Sequence, residues 1–161
     1  MDDVGVKDER TRAIEQLYEE MGERLWWALL AYSGNREIAN DATAEAFARS
    51  LASSGSIDNP ANWIWRVGFR LATKELKAAR RHVPLTELPM ADDDDRAEVL
   101  ELMAALQKLS RQQRAAAVLF YLDGRPANEI GAILGVREAT VGVHLHRARG
   151  RLRELLGDND A

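Results

Sequence analysis

Apolar residues recur at intervals of three and four along almost the whole chain of 161 residues. The series are clearest at 14–29 and at 141–155, where the spacing places them on one face of an α-helix. Gly, Pro, Asn and Ser stand at the breaks between the series. No segment shows the alternation that is typical of a half-buried strand. The pattern therefore predicts an all-α protein.

The breaks divide the chain into two small helical modules and a linker. The N-terminal module is expected at 8–82, the linker at 83–95 and the C-terminal module at 96–156. The linker contains Pro84, Pro89 and the acidic run Asp92–Asp95, a composition typical of an extended, self-repelling segment. Helices are predicted at about 8–31, 36–53, 60–82, 96–108, 111–122, 127–134 and 137–156.

Local signals mark where these helices begin and end. Asn35 and Asn59 are expected N-caps, and Pro60 follows as a first helical residue. Ser110 and Gln113 have the spacing of a capping box. Gly135 is expected to end the short helix before it in a left-handed conformation.

The formal net charge of −4 argues against a protein that coats nucleic acid by bulk attraction. The charges are unevenly distributed, however. Six basic residues and one acid lie between 66 and 82, and five arginines and two acids lie between 137 and 154. The acidic stretch 92–101 separates these two basic segments, so the negative net charge of the chain conceals two basic helices.

The composition also excludes several classes of function. Cysteine is absent, which removes disulfides, thiol catalysis and cysteine-ligated metals. The three histidines and the absence of a Gly-rich phosphate loop give no catalytic constellation, so neither an enzyme nor a metal or other cofactor is expected. No apolar run approaches a membrane span, and the acidic N-terminus is unlike a signal peptide. We expect a cytoplasmic protein without membrane insertion.

The segments 127–134, Gly135–Val136 and 137–156 have the spacing of a helix-turn-helix. In the last helix, the stripe that begins at Val141 is expected to pack inward, which leaves Ala139, Val143 and His146 outward. The arginines suit phosphate contacts, whereas the outward face carries few donors for reading bases. A helical hairpin with a solvated basic face is the alternative to DNA binding.

Five segments of the chain resemble bacterial RNA polymerase sigma subunits. The runs 106–114, 128–136 and 139–149 resemble the fourth conserved region, and the match is closest to the small extracytoplasmic-function (ECF) group. The runs 41–47 and 59–67 resemble the docking helix and the promoter-melting helix of the second region. Together they cover roughly 17–156 in the expected order, with a linker between the two regions.

This resemblance implies a sigma factor that binds core RNA polymerase and directs promoter-specific initiation without catalytic chemistry of its own. Its partners would be the clamp helices and flap of the polymerase, duplex and single-stranded promoter DNA, and an anti-sigma factor. The implied polymerase-docking residues are Asp41, Glu45 and Phe47. The implied downstream-promoter residues are Ser54, Ser56, Asn59, Trp63, Trp65, Arg66, Arg70, Lys74, Lys77, Arg80 and Arg81. The implied upstream-promoter residues are Arg137, Glu138, Ala139, Thr140, Val143, His146, Arg147 and Arg149.

Each assignment has a plainer alternative. Asp41 and Glu45 would serve equally as a solvated helix face, and Trp63 as a core residue. The acidic linker suits either phosphate mimicry in an RNA channel or a simple spacer. The chain departs from the family pattern mainly at expected DNA contacts, namely Ala44, Gly68, Phe69, Arg70, Lys74, Ala139, Gly142 and Val143. These departures leave open a sigma-like decoy that binds an anti-sigma factor or polymerase without initiating. A stand-alone operator-binding regulator is the third hypothesis.

Overall fold

The computed structural model describes residues 2–53, 57–78 and 93–157. Every regular element in these ranges is helical, which confirms the predicted all-α class. The helices are α1 (Asp2–Ser33), α2 (Arg36–Ala52), α3 (Pro60–Ala78), α4 (Asp93–Gln107), α5 (Arg111–Ala117), α6 (Ala127–Leu134) and α7 (Glu138–Leu156). A π-helical turn, Val118–Leu122, continues α5.

The expected helix ends are present where local side-chain chemistry specifies them. The Asn35 side chain accepts a hydrogen bond from the Ile38 N–H, and the Ser110 hydroxyl accepts one from the Gln113 N–H. Gly135 ends α6 with a φ of 72°. These groups satisfy backbone donors and acceptors that the first and last turns of a helix leave unpaired.

The first helix is longer than the sequence predicted, because it begins at Asp2 and ends at Ser33. It ends there because Gly34 adopts a φ of 66° and donates its N–H to the Leu30 carbonyl. A left-handed residue at this place is the usual way to end a helix, and glycine accepts it without a steric cost.

The helices α1, α2 and α3 pack against one another and form the N-terminal module. Leu25, Leu29 and Ile64 are fully buried at its centre. Two polar contacts join the helices: the Trp26 indole donates to Asn40 at 2.6 Å, and the Tyr32 and Thr73 hydroxyls lie 2.7 Å apart. These contacts hold α1 against both of its neighbours.

The acidic run does not lie wholly in a linker, as the sequence suggested. Asp93, Asp94 and Asp95 form the first turn of α4. Carboxylates are stabilising there because they lie near the positive end of the helix dipole, and Asp93 also pairs with Arg96 at 3.0 Å. The remainder of the predicted linker, residues 83–92, lies outside the described residues.

The two modules share one hydrophobic core. Met103, Leu106 and Leu109 of the C-terminal module belong to the same buried cluster as Leu29 and Phe69 of the N-terminal module. Helix α3 packs on α6, and α1 packs on α4, α5 and the π-helical turn. The modules are therefore docked against each other.

Candidate nucleic-acid interface

The acidic face of α2 is exposed. Asp41 and Glu45 lie one turn apart on α2 and both reach solvent, as a docking role requires. Glu45 also accepts a hydrogen bond from Arg49 at 2.9 Å. Phe47, in contrast, is buried and packs edge-on against Tyr18, with ring centroids 5.1 Å apart. Phe47 therefore supports this face from inside the module and does not itself reach a partner.

A row of cations lies on α3. Arg66, Arg70, Lys74 and Lys77 are exposed at intervals of four, four and three, so their charges lie along one side of the helix. Such a row suits the phosphates of a nucleic-acid backbone. Arg80 and Arg81, which were expected to continue the row, lie outside the described residues.

The start of α3 is only partly available to a ligand. Asn59 is exposed and caps the helix by accepting from the Asn62 N–H. Trp63 is half-buried, but Trp65 is completely buried. Ser54 and Ser56 lie outside the described residues.

The burial of Trp65 corrects its implied assignment as a downstream-promoter residue. Phe69 lies nearly parallel to its ring, with centroids 6.4 Å apart. The guanidinium of Arg125 lies 4.4 Å from the Trp65 centroid. Sequence reasoning missed Arg125 because its partner is sixty residues away, and no local pattern records such a contact.

The predicted helix-turn-helix is present in the C-terminal module. A Cβ on Gly131 would lie 2.7 Å from the Val136 carbonyl oxygen, so the close approach of α6 to the turn requires glycine. Val141, Leu145 and Ala148 bury one face of α7. The turn and this buried stripe together fix the direction of α7.

The opposite face of α7 is exposed, as expected. Ala139, Val143, His146 and Arg147 reach solvent there, and Arg137 and Glu138 are exposed at the start of the helix. Thr140 is half-buried. Val143 is the large apolar side chain on this face, with 48% of its surface exposed. This face offers a contact surface for a nucleic-acid groove. It carries few long side chains that can donate hydrogen bonds.

Arg149 stands apart from that face. Its Nε donates to the Tyr121 hydroxyl at 2.9 Å, and it borders an apolar groove of about 560 Å³. Leu102, Leu106, Val118, Leu152 and Leu156 are among the residues that line this groove. The sequence predicted helices here but no groove, because the groove depends on how α4, α5 and α7 meet.

Neither a metal site nor a membrane span emerges from the part of the chain that the structure describes. It holds no group of three side chains suited to binding a metal ion. None of its helices has both the length and the apolar composition of a bilayer span.

Comparisons with known proteins agree with this architecture. Residues 99–152 match the family model described as Sigma-70, region 4. The chain is 31% identical over 152 residues to the ECF RNA polymerase sigma factor SigM of Mycobacterium tuberculosis, which covers 90% of this chain and 78% of that protein.

Solved structures share the fold. CnrH, solved in complex with the cytosolic domain of CnrY, matches with a TM-score of 0.75 and 24% identity over 98% of this chain and 96% of that one. RpoE from Bartonella quintana, solved with the anti-sigma factor NepR, matches with a TM-score of 0.75 and 20% identity over 93% of this chain and 99% of that one.

Proposed function

Because the chain belongs to the ECF RNA polymerase sigma factors, we propose that it binds core RNA polymerase and directs promoter-specific initiation of transcription. The observation that carries this proposal is the helix-turn-helix within residues 99–152, whose α7 presents an open face beside a tight glycine turn. A helix held in this way enters the major groove of duplex DNA.

The C-terminal module would bind the upstream promoter element through α7. Ala139, Val143 and His146 occupy the centre of the exposed face and would lie nearest the base edges. Arg147 would contact phosphates, which fix the position of the protein without reading sequence. The small side chains at the centre suit apolar contacts and the shape of the groove more than bidentate hydrogen bonds.

The N-terminal module would hold the melted downstream element along α3. The exposed cations from Arg66 to Lys77 would follow the phosphates of one strand. Asn59 and Trp63 at the start of the helix would be the nearest side chains to the unpaired bases.

Two surfaces would bind the polymerase. The acidic face of α2, with Asp41 and Glu45, suits a basic partner helix such as a clamp helix. The apolar groove between α4 and α7 suits an amphipathic helix, which we assign to the flap. With one polymerase contact on each module, the two modules would be held at two separate promoter elements.

The remaining features follow from this role. The polymerase would supply the chemistry of RNA synthesis, so the chain would need no catalytic site or cofactor of its own. It would act in the cytoplasm, where polymerase and promoter DNA meet. An anti-sigma factor is a further proposed partner, since one neighbour of this fold was solved with one.

Run-off transcription from genomic DNA fragments tests the proposal directly. Core polymerase with this protein should produce transcripts that start at defined positions, and core polymerase alone should not. Tight binding to core without such transcripts would identify a decoy. Operator binding without affinity for core would contradict the assignment altogether.

The docking surface has its own test. The double change Asp41→Arg and Glu45→Arg should weaken core binding by about tenfold or more, because like charges would then face the basic partner. Glu19→Arg with Glu23→Arg is the matched control, since both residues are exposed one turn apart on α1 and the change in charge is the same. An equal loss of core binding in both proteins would place the contact elsewhere.

A further inference from the structure

A large apolar side chain lies on the exposed face of α7. Val143 has 48% of its surface exposed, whereas Val141 and Leu145 on either side of it are buried in the module. A single exposed valine is common on protein surfaces, so its meaning depends on its surroundings. The proposed function places this face in the major groove of the upstream promoter element. The neighbours of Val143 therefore decide what it can contact there.

The side chains around Val143 are small. Ala139 lies one turn before it, Gly142 directly precedes it and Gly150 lies two turns after it, and all three are exposed. Residues four and seven apart share one side of a helix, so Ala139, Val143 and Gly150 form one line. His146, which is also exposed, is the longer side chain on this line. The face of α7 is therefore low around the valine.

The fold itself gives no reason for the two glycines of this face. Neither Gly142 nor Gly150 has a positive φ, and a Cβ at either position would meet nothing within 4 Å among the residues that the structure describes. Gly131 differs, because its Cβ would clash with the Val136 carbonyl. Glycine destabilises a helix interior relative to alanine, but it also lets a ligand approach the backbone closely. Both glycines are thus suited to a ligand that comes near the α7 backbone.

The major groove makes a close approach useful. It is about 12 Å wide, and a helix with its side chains is about 10–12 Å across. A helix with small side chains on its leading face can enter the groove more deeply. Valine needs this depth, because its side chain ends one carbon beyond Cβ and cannot reach base edges from a distance.

The chemistry of Val143 selects among the base edges. Its side chain neither donates nor accepts a hydrogen bond, and the apolar group that base edges present in the major groove is the 5-methyl group of thymine. Against another edge, the valine would remove water from a donor or acceptor without replacing the lost hydrogen bond. Against the methyl group, it would bury apolar surface on both sides, which is favourable.

We propose that Val143 contacts the 5-methyl group of a thymine in the upstream promoter element and thereby selects a T·A pair at that position. This inference rests on the proposed function of α7 and deepens it by naming the group that the helix reads. Arg147, exposed one turn further along α7, would bind a phosphate without distinguishing bases.

The test replaces single methyl groups on both sides of the contact. Run-off transcription first identifies a promoter, and each thymine of its upstream element is then replaced singly by deoxyuridine, which lacks only the 5-methyl group. Binding of the holoenzyme, core polymerase with the full chain, is measured by competition at one salt concentration. The proteins compared are wild type, Val143→Ala and Arg147→Ala. Val143→Ala should fold, because it shortens an exposed side chain and alanine favours the helix.

Deoxyuridine at one position of the upstream element should weaken binding of the wild-type holoenzyme by about fourfold, the effect of one buried methyl-sized group. Val143→Ala should bind the thymine promoter more weakly and should not respond to that replacement, because the partner of the methyl group is gone. Arg147→Ala should weaken binding to every promoter and keep the fourfold difference. Deoxyuridine between the two promoter elements should change binding of none of the three proteins.

An upstream element without any T·A pair would overturn the inference. So would equal binding of the thymine and deoxyuridine promoters, or a loss of the same size in wild type and Val143→Ala, since the methyl group would then act through DNA shape or another side chain. In each of these cases the transcripts remain promoter-specific and the proposed function stands. Absence of any promoter-specific transcript would instead overturn the proposed function, and the inference with it.

Discussion

Two arginines of the C-terminal module show how surroundings decide the role of a residue. Arg114 is buried and donates to the carbonyls of Tyr32 and Leu109. Loss of hydration lowers the pKa of Arg114 from its ordinary value, while Tyr32 raises it and Arg111 lowers it to smaller extents. Arg149 is exposed and bonds to the Tyr121 hydroxyl. The sequence presents both as basic helix residues, but only one of them belongs to the surface.

At the residue scale, we expect Arg147 and Arg149 to differ in their effect on DNA binding. Arg147→Ala should weaken binding to duplex DNA across sequences and reduce the slope of log affinity against log salt by about 1, as loss of one phosphate contact does. Arg149→Ala should change this slope less, because the side chain lies beside Tyr121 and the apolar groove. A salt titration of both variants on one duplex provides the measurement. Equal losses of slope would show that Arg149 also binds phosphate.

At the element scale, helix ends followed local chemistry and interior irregularities did not. The caps at Asn35, Asn59 and Ser110 are present because each side chain bonds to a backbone N–H three residues ahead. The sequence predicted one regular helix through Leu122, but its last turn is π-helical. That turn leads into Asp123, which pairs with Arg125 of its own module and with Arg24 of the N-terminal module. Helix propensity along the sequence does not predict such a π-helical turn.

Two glycines of the helix-turn-helix should respond in opposite directions to alanine. Gly131→Ala should destabilise the chain, because its Cβ would clash with the Val136 carbonyl and the turn would have to shift. Gly150→Ala is the matched control on α7, where nothing lies within 4 Å of the added carbon. It should stabilise the chain by up to about 1 kcal/mol, the difference in helix propensity. Urea unfolding of the two variants checks this, and similar stabilities would contradict the close approach.

At the scale of the whole molecule, the two basic helices, α3 and α7, belong to modules that pack against each other. They are not held apart by an extended linker. The net charge of −4 conceals this because acids on α1, α2 and the start of α4 outnumber the cations of α3 and α7. Buried residues of both modules form one cluster. A change that destabilises one module should therefore also destabilise the other.

A change in the C-terminal module should be measurable in the N-terminal one. All four tryptophans lie in α1 and α3, so their emission reports unfolding of the N-terminal module. Gln107→Ala should lower the stability seen by this emission by about 1 kcal/mol, since it removes a hydrogen bond to the Ala31 carbonyl. Gln112→Ala, at an exposed position on α5, should leave it unchanged. No difference between the two variants would mean that the N-terminal module unfolds independently.

The amino-acid sequence by itself determined the helical class, most helix ends, the helix-turn-helix and the resemblance to sigma subunits. These properties depend on residues within a few turns of one another, where spacing and capping act directly. Only the tertiary structure decided that Trp65 is buried beneath Arg125 and that Asp123 joins the two modules. Burial, cavities and ion pairs between distant residues arise when separate helices meet, and the geometry of that meeting is not recorded in any local pattern.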